Sequence, residues 1–408
     1  MQSTKSSRSS VVVSAISIAV LFLLTGTLAL AQTEKVLYSF QGGADGSSPS
    51  IVLVADSAGN LYGTTSDGGA SACDEGCGTV FELSPGPGGQ WTKSVLYSFQ
   101  GGSDGAVPTA GVIFDAAGNL YGTTSVGGKD HDGTVFELSP SGSGWTETTL
   151  YTFTNKKDGG YPIAGLLRDS AGNLFGTTLF GGHAHGGVVF KLTLSGGSWS
   201  ESVLHAFTGR KDGIDPESGL IMDEDGVLYG STDSTVFRLT PPSPGHPKWM
   251  FKVLSTPDGG PIGPATLFGG NNGVLYGTQK FGTGPANAGA AFQVAPPARH
   301  GHWTGSSIYV FNGGSDGLYP YGGVIGDAAG NLYGTTSGDG HASFGTVFKL
   351  TPPAQGSNWT KTNLYSFKGG TDGSLPYSGL LLGSGGVLYG TTTAGGSSGN
   401  GTVFEILP

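Results

Sequence analysis

Apolar residues in this chain come in short bursts, and the bursts repeat. The clearest burst reads LYGTT, with its aromatic at Tyr62, Tyr121, Phe175, Tyr229, Tyr276, Tyr333 and Tyr389. The steps between copies are 59, 54, 54, 47, 57 and 56 residues. A recurrence of this length signals a supersecondary unit repeated along the chain. In the second unit, Gly111–Asp115 is a short apolar run, and Ala116–Asn119 turns the chain with glycine where a positive φ is needed. Leu120–Thr124 is a second strand, and Ser125–Asp132 is a polar, glycine-containing loop. Gly133–Leu138 is a third strand, and Trp145–Phe153 is a longer, partly alternating fourth. No segment sustains a helical spacing. Val135, Phe136 and Leu138 stand almost together, as a sheet buried on both faces requires.

Four short antiparallel strands per unit predict a propeller blade. The third strand recurs as GTVFEL from Gly78, GVVFKL from Gly187, STVFRL from Ser234, GAAFQV from Gly289, GTVFKL from Gly345 and GTVFEI from Gly401. A fourth-strand sequence, Val36–Phe40, precedes the first complete unit, and the chain stops just after a third strand. Pairing these two ends closes a ring and removes free sheet edges. The expected fold is therefore an all-β, seven-bladed propeller over residues 32–408. Its last blade is completed by Lys35–Phe40. The six tryptophans, from Trp91 to Trp359, recur at fourth-strand starts and read as blade packing.

Composition supplies an address. Lys5 and Arg8, the apolar run Val11–Leu24 and Ala29-Leu30-Ala31 have the order of a secretory signal peptide, assigned to residues 1–31. The expectation is a protein secreted to the extracellular space or the periplasm, with no transmembrane segment once the signal is cleaved. The formal charge is −10, and losing Lys5 and Arg8 leaves the mature chain near −12. With no basic run, nucleic acid is not expected as a partner. Cys73 and Cys77 share one loop, and export makes a disulfide between them the favoured reading over a metal site.

The string Gly118-Asn119-Leu120-Tyr121-Gly122-Thr123-Thr124, then Gly127-Gly128, then Gly133-Thr134-Val135-Phe136, returns at 59–81 and 330–348. With it the chain resembles the Gloeo/Verruco (GloVer) tandem-repeat family of secreted bacterial proteins. The resemblance implies secretion and carries no established activity. Members often end in a sorting anchor; none is seen before Pro408, so free secretion is expected.

Two loop sets share one face of such a ring. The first holds an Asp-Gly pair that leads to a proline, with aspartates 45, 104, 158, 212, 258, 316 and 372. Turn chemistry accounts for this pair. Calcium is the alternative, with Asp104, Asp316 and Asp372 as its candidate carboxylates. No other cofactor is expected. The second loop varies between blades and carries His131, His183, His185 and His341. Residues after the prolines should start the innermost strands and line the channel mouth: Ser50, Thr109, Ile163, Glu217, Ile262, Tyr321 and Tyr377. Tyr321 and Tyr377, with Tyr161 and Tyr319, are candidate ligand-binding residues, since tyrosine offers an apolar face and a polar tip. Plugging the channel is the competing role. Glu217 and His185 are the candidate acid–base pair.

No nucleophile elbow, phosphate loop or HExxH string occurs. The leading expectation is thus a non-enzymatic binding module, for a glycan or a cell-envelope protein. A propeller lyase or hydrolase acting at the channel is the alternative, and a structural matrix component is the third reading.

Overall fold

The computed structural model describes residues 33–408, except 50–51, 143, 258–260, 265, 285, 299–300, 339–343, 355 and 357. The leader expected over 1–31, and Ser50, Asp258 and His341, lie outside the described residues.

The chain forms seven antiparallel sheets, each built from consecutive strands except the last. Blade 2 shows the pattern: Ile113–Phe114, Leu120–Thr124, Thr134–Ser141 and Gly144–Thr152, from channel to rim. Blade 7 takes Leu381–Leu382, Leu388–Thr392 and Thr402–Ile406 from the C-terminus and Glu34–Ser39 from the N-terminus. Glu34 pairs with Ile406 and Ser39 with Thr402, so the ring closes as the offset of the repeats requires. Blade 1 has one strand more, Ser47–Pro49, paired to the end of Leu61–Asp67.

The innermost strands are shorter than expected. In blade 2 only Ile113 and Phe114 pair with the second strand. The stretch before them runs along the channel and bonds to its neighbour by side chain: Thr64 Oγ1 donates to Pro108 O at 3.1 Å and Ala110 O at 2.8 Å. Thr123 makes the same link to Ala164 O in blade 3.

Within a blade, the second strand Leu120–Thr124 is wholly buried. Its glycine is required: a β-carbon at Gly122 would stand 2.5 Å from Phe136 Cζ on the third strand. Thr124 Oγ1 and Thr134 Oγ1 close the same hairpin at 2.8 Å, both buried. At the turn, Asp115 accepts the backbone N–H of Ala117 and Asn119, which explains the recurrent Asp-x-x-Gly-Asn string.

The apolar core is not central. It is divided into seven seams, each drawing on two neighbouring blades. Tyr62, Val80 and Phe99 of blade 1 pack with Val112, Leu120, Phe136 and Leu138 of blade 2. Leu37, Phe40 and Val403 pack with Leu53, Leu61 and Phe81 at the closing seam. Trp91, Trp249, Trp303 and Trp359 each place their ring against the LYGTT aromatic of the preceding blade, as with Trp91 and Tyr389 at 6.3 Å.

Each regular seam is also keyed by a proline on a glycine. Gly401 opens a third strand at φ 95°, a conformation that L residues with a β-carbon rarely adopt. A β-carbon there would lie 2.6 Å from Pro49 Cδ of blade 1. Gly78 meets Pro108 in the same way, and Gly133 meets Pro162. Gly78→Ala is expected to cost about 2–4 kcal/mol, from left-handed strain plus overpacking. Gly59 has φ 86° with nothing within 4 Å of a built β-carbon, so Gly59→Ala should cost only about 1–2 kcal/mol. Denaturant unfolding of both variants checks the difference, and equal losses would remove the proline contact from the account.

The seams also carry charge. On the fourth strand, the position four residues before the tyrosine or histidine of blades 7, 2 and 3 holds Glu34, Glu147 and Glu201, facing Asp372, Asp104 and Asp158. In blades 1 and 6 that position is lysine, with Lys93 Nζ 2.9 Å from Asp45 Oδ1 and Lys361 Nζ 3.1 Å from Asp316 Oδ1. Burial first, and the facing aspartate next for Glu34 and Glu201, push these carboxyls up to about 7. Glu147 rises to about 7 by burial, with Thr149 donating a hydrogen bond that opposes it and Asp104 adding to it. Unfolded glutamates titrate near about 4.3. The folded state therefore holds these three protons more tightly. Their destabilising effect is absent below the unfolded value, grows as pH rises, and is complete above about 7. Thermal unfolding should show a higher Tm at pH 5 than at pH 8. The triple variant Glu34→Gln, Glu147→Gln, Glu201→Gln should flatten that slope, and an unchanged slope would contradict the assignment.

Candidate functional site: the channel mouth

The Asp-Gly loops build one face of the ring. Their aspartates serve as braces. Asp104 Oδ2 accepts the Tyr97 hydroxyl at 3.0 Å and the Gln100 N–H at 2.8 Å. Asp372 does the same with Tyr365 and Lys368, and Asp316 with Tyr309 and Asn312. These three calcium candidates belong to three different loops, each carboxylate being engaged locally. Among the described residues, no group of three or more His, Cys, Asp or Glu side chains is arranged to hold a metal ion.

Beyond the described Asp-Gly pairs the backbone makes an unusual bend. The residue before the proline lies in the left-handed region although it is not glycine: Val107 at φ 57°, Tyr161 at 57°, Asp215 at 51°, Tyr319 at 60° and Leu375 at 57°. Such positions cost about 1–3 kcal/mol each and persist only when neighbours over-determine them. Here they do. Asp215 N–H donates to Gly186 O of the preceding blade at 3.1 Å, and Tyr319 N–H to Ala288 O at 2.8 Å. The next turn is a three-residue one centred on the proline, closed by Glu217 N–H on Asp215 O at 2.8 Å and by Tyr321 N–H on Tyr319 O at 2.9 Å. The bend fixes where the residue after the proline leaves the backbone.

Tyr321 of blade 6 and Tyr377 of blade 7 meet edge to face, with ring centroids 5.2 Å apart. Tyr377 is 36% exposed and Tyr319 38%. Burial first, then Tyr377, Glu217 and Tyr319, raise the Tyr321 hydroxyl pKa, so these groups share one neighbourhood. Glu217 of blade 4 does not pair with a histidine. Its Oε2 accepts from Lys280 Nζ of blade 5 at 2.7 Å, with both side chains largely buried. Asp215 stands beside them. Burial, Asp233 and Glu217 raise its carboxyl pKa, and Lys280 opposes. Asp233 is held by Ser234 Oγ at 2.8 Å.

The remaining candidates lie elsewhere. Tyr161 belongs to blade 3 and packs its ring against Phe180 at 5.4 Å. His183 and His185 are exposed on the second-to-third-strand loop of that blade. Cys73 and Cys77 are joined as a disulfide in the long loop of blade 1, with both sulfurs against Gly101. Sequence reasoning missed Asp215 and Lys280. The one available signal was that Asp215 is an ionisable residue directly before a loop proline, where other blades have Ser48, Val107, Tyr161, Tyr319 and Leu375.

The chain belongs to the Gloeobacter/Verrucomicrobia repeat family, whose model matches residues 21–235 and 231–408. No curated protein sequence matches it. Among solved structures it is similar to a candidate 6-phosphogluconolactonase from Bacteroides uniformis, at 12% identity and TM-score 0.53, over 81% of this chain and 88% of that one. It is also similar to the extracellular domain of a candidate hybrid two-component system from B. thetaiotaomicron, at 13% identity and TM-score 0.52. That match covers 91% of this chain and 39% of the other. At these identities the likeness is one of fold.

One expectation is corrected here. The sequence reading leaned against catalysis because no catalytic motif was found. A solved propeller of this fold, the B. uniformis protein, carries an enzyme name, so neither the fold nor the missing motif argues against an enzyme. The side chains gathered at the mouth, Asp215 and Glu217, Lys280, Tyr321 and Tyr377, come from four blades, and no local string announces a grouping assembled in that way. Among the described residues no helix is long and apolar enough to cross a membrane.

Proposed function

We propose that the channel mouth is the active site of a hydrolase or lyase acting on a small, ring-containing polar substrate, a sugar or sugar derivative. One observation carries this reading: a partly buried lysine–carboxylate pair, a second carboxyl of raised pKa and a tyrosine pair with Tyr377 exposed stand at one mouth. Lactone hydrolysis and elimination next to a uronate carboxylate both use a group that moves a proton and positive charge that steadies the anion formed. Asp215 is suited to the first role, because its raised pKa keeps it nearer the working pH. Lys280 is suited to the second, with Glu217 holding its ammonium in place. Tyr321 and Tyr377 offer the ring faces on which a sugar stacks. A glycan is accordingly the partner this reading favours. Export of the mature chain after residue 31 is part of the proposal, supported by the charged start, the apolar run and Ala29-Leu30-Ala31.

The test is turnover by the mature protein on a panel of sugar lactones, glycosides and uronate-containing glycans, with and without calcium. Sugar lactones are included because a solved neighbour of the same fold is named for one. Turnover on one class is expected. Asp215→Asn and Lys280→Met should each lower kcat by about 10²-fold or more, and Tyr377→Ala should act mainly on KM. Turnover indifferent to all three changes, in variants that unfold like the parent, would overturn the assignment.

A further inference from the structure

Below the mouth the channel is not filled. A cavity of about 190 Å³ lies against Val52, Val112, Ile163, Ala164, Leu166 and Leu220, with Thr266 as the one side-chain hydroxyl in its described wall. No charged side chain borders it among the described residues. Ile163 follows Pro162 as Glu217 follows Pro216, so the top of the cavity is level with the mouth ring.

Glycine makes the room. Two positions past Ile163, Glu217 and Thr109 stand Gly165, Gly219 and Gly111. Two of the three are explained by crowding. A β-carbon on Gly111 would strike Val52 O, and one on Gly219 would lie 2.5 Å from Thr266 Oγ1. Gly165 has no such reason. Nothing lies within 4 Å of a β-carbon built there, and its φ is not in the left-handed region. At a position where alanine fits without strain, glycine costs about 0.4–1 kcal/mol through its greater freedom in the unfolded chain. At Gly165 that cost returns no packing and no turn; it returns open volume in the channel.

The volume and the wall define what fits. An enclosed apolar cavity of about 150 Å³ accepts benzene; this one is of similar size, opens toward the channel, and has a wall that is mostly but not wholly apolar. We propose that this cavity is a binding site for an apolar group of about six to eight non-hydrogen atoms, an aromatic ring or a short alkyl arm. Taken with the mouth reading, on which this step rests, the substrate is amphipathic: its polar ring lies on Tyr321 and Tyr377 and its apolar arm descends past Ile163.

Fluorobenzene, followed by its ¹⁹F signal, is the probe for the mature protein. The parent should bind it, and Gly165→Leu should weaken binding at least about tenfold by filling the space, a loss of about 1.4 kcal/mol. Gly165→Ala, a smaller change at an unstrained position, should weaken it measurably and guards against misfolding of the leucine variant. Tyr321→Ala and Tyr377→Ala should leave fluorobenzene binding within about twofold, because these side chains do not border the cavity. That separates this site from the mouth: loss of turnover with intact fluorobenzene binding bears on the mouth alone. No binding by the parent, or equal binding by parent and both Gly165 variants, would overturn the cavity proposal.

Discussion

A proline ring seated on a glycine holds this molecule in register. At the closing seam, Pro49 of blade 1 lies where a side chain on Gly401 of blade 7 would have to be. The same contact joins Pro108 to Gly78, Pro162 to Gly133, Pro216 to Gly187, Pro320 to Gly289 and Pro376 to Gly345. The contact does two things. It brings neighbouring blades close enough for their seam cores to exclude water, and it adjoins the left-handed bend of the residue before the proline, whose N–H is held by the preceding blade. That bend aims the following residue at the mouth. Blade packing and site geometry therefore meet at one place.

The seam between blades 4 and 5 departs from this rule. Ser234 stands in the glycine position, within a second-to-third-strand connection of only four residues, 232–235. Asp233 O, at the acceptor position that Cys77, Asp132 and Ala288 hold in other seams, receives the N–H of Ile262, the residue after the proline, at 2.7 Å. Glu217 reaches across this seam to Lys280, and Asp215 and Asp233 stand beside the pair. Local rules tend to fail where function is built. The irregular seam, the partly buried ion pair and the raised carboxyl pKa coincide at the mouth, which is why the mouth, and not the longer loops of blades 1 and 3, carries the proposed function.

How much of this could be read in advance follows from range. Strand order, turn type and ring closure depend on residues close in sequence or repeated at fixed phase, so Leu120–Thr124, the Asp115 turn and the Glu34–Ser39 strand were legible. Tyr321 and Tyr377 were legible as a pair at the mouth, because equivalent positions in adjacent blades must be neighbours. Lys280 was not, since it lies in a second-to-third-strand loop and meets Glu217 only across a seam, 63 residues apart. Nor were the left-handed Val107 and Leu375, whose bends are imposed by hydrogen bonds from the preceding blade. Glu34, Glu147 and Glu201 looked like ordinary alternating strand residues. Only the packed seam shows that each faces an aspartate.

Ring closure is the claim on which the rest stands, and removing the N-terminal strand tests it most directly. A mature chain beginning at Gln41 keeps the six complete blades and leaves Thr402–Ile406 as an open edge. The account predicts that this chain loses the single cooperative thermal transition of the full-length mature protein and self-associates through the exposed strand. A peptide spanning residues 33–40, added in excess, should restore the transition. An unchanged Tm and a monomeric state in the truncated chain would contradict closure as the basis of the fold.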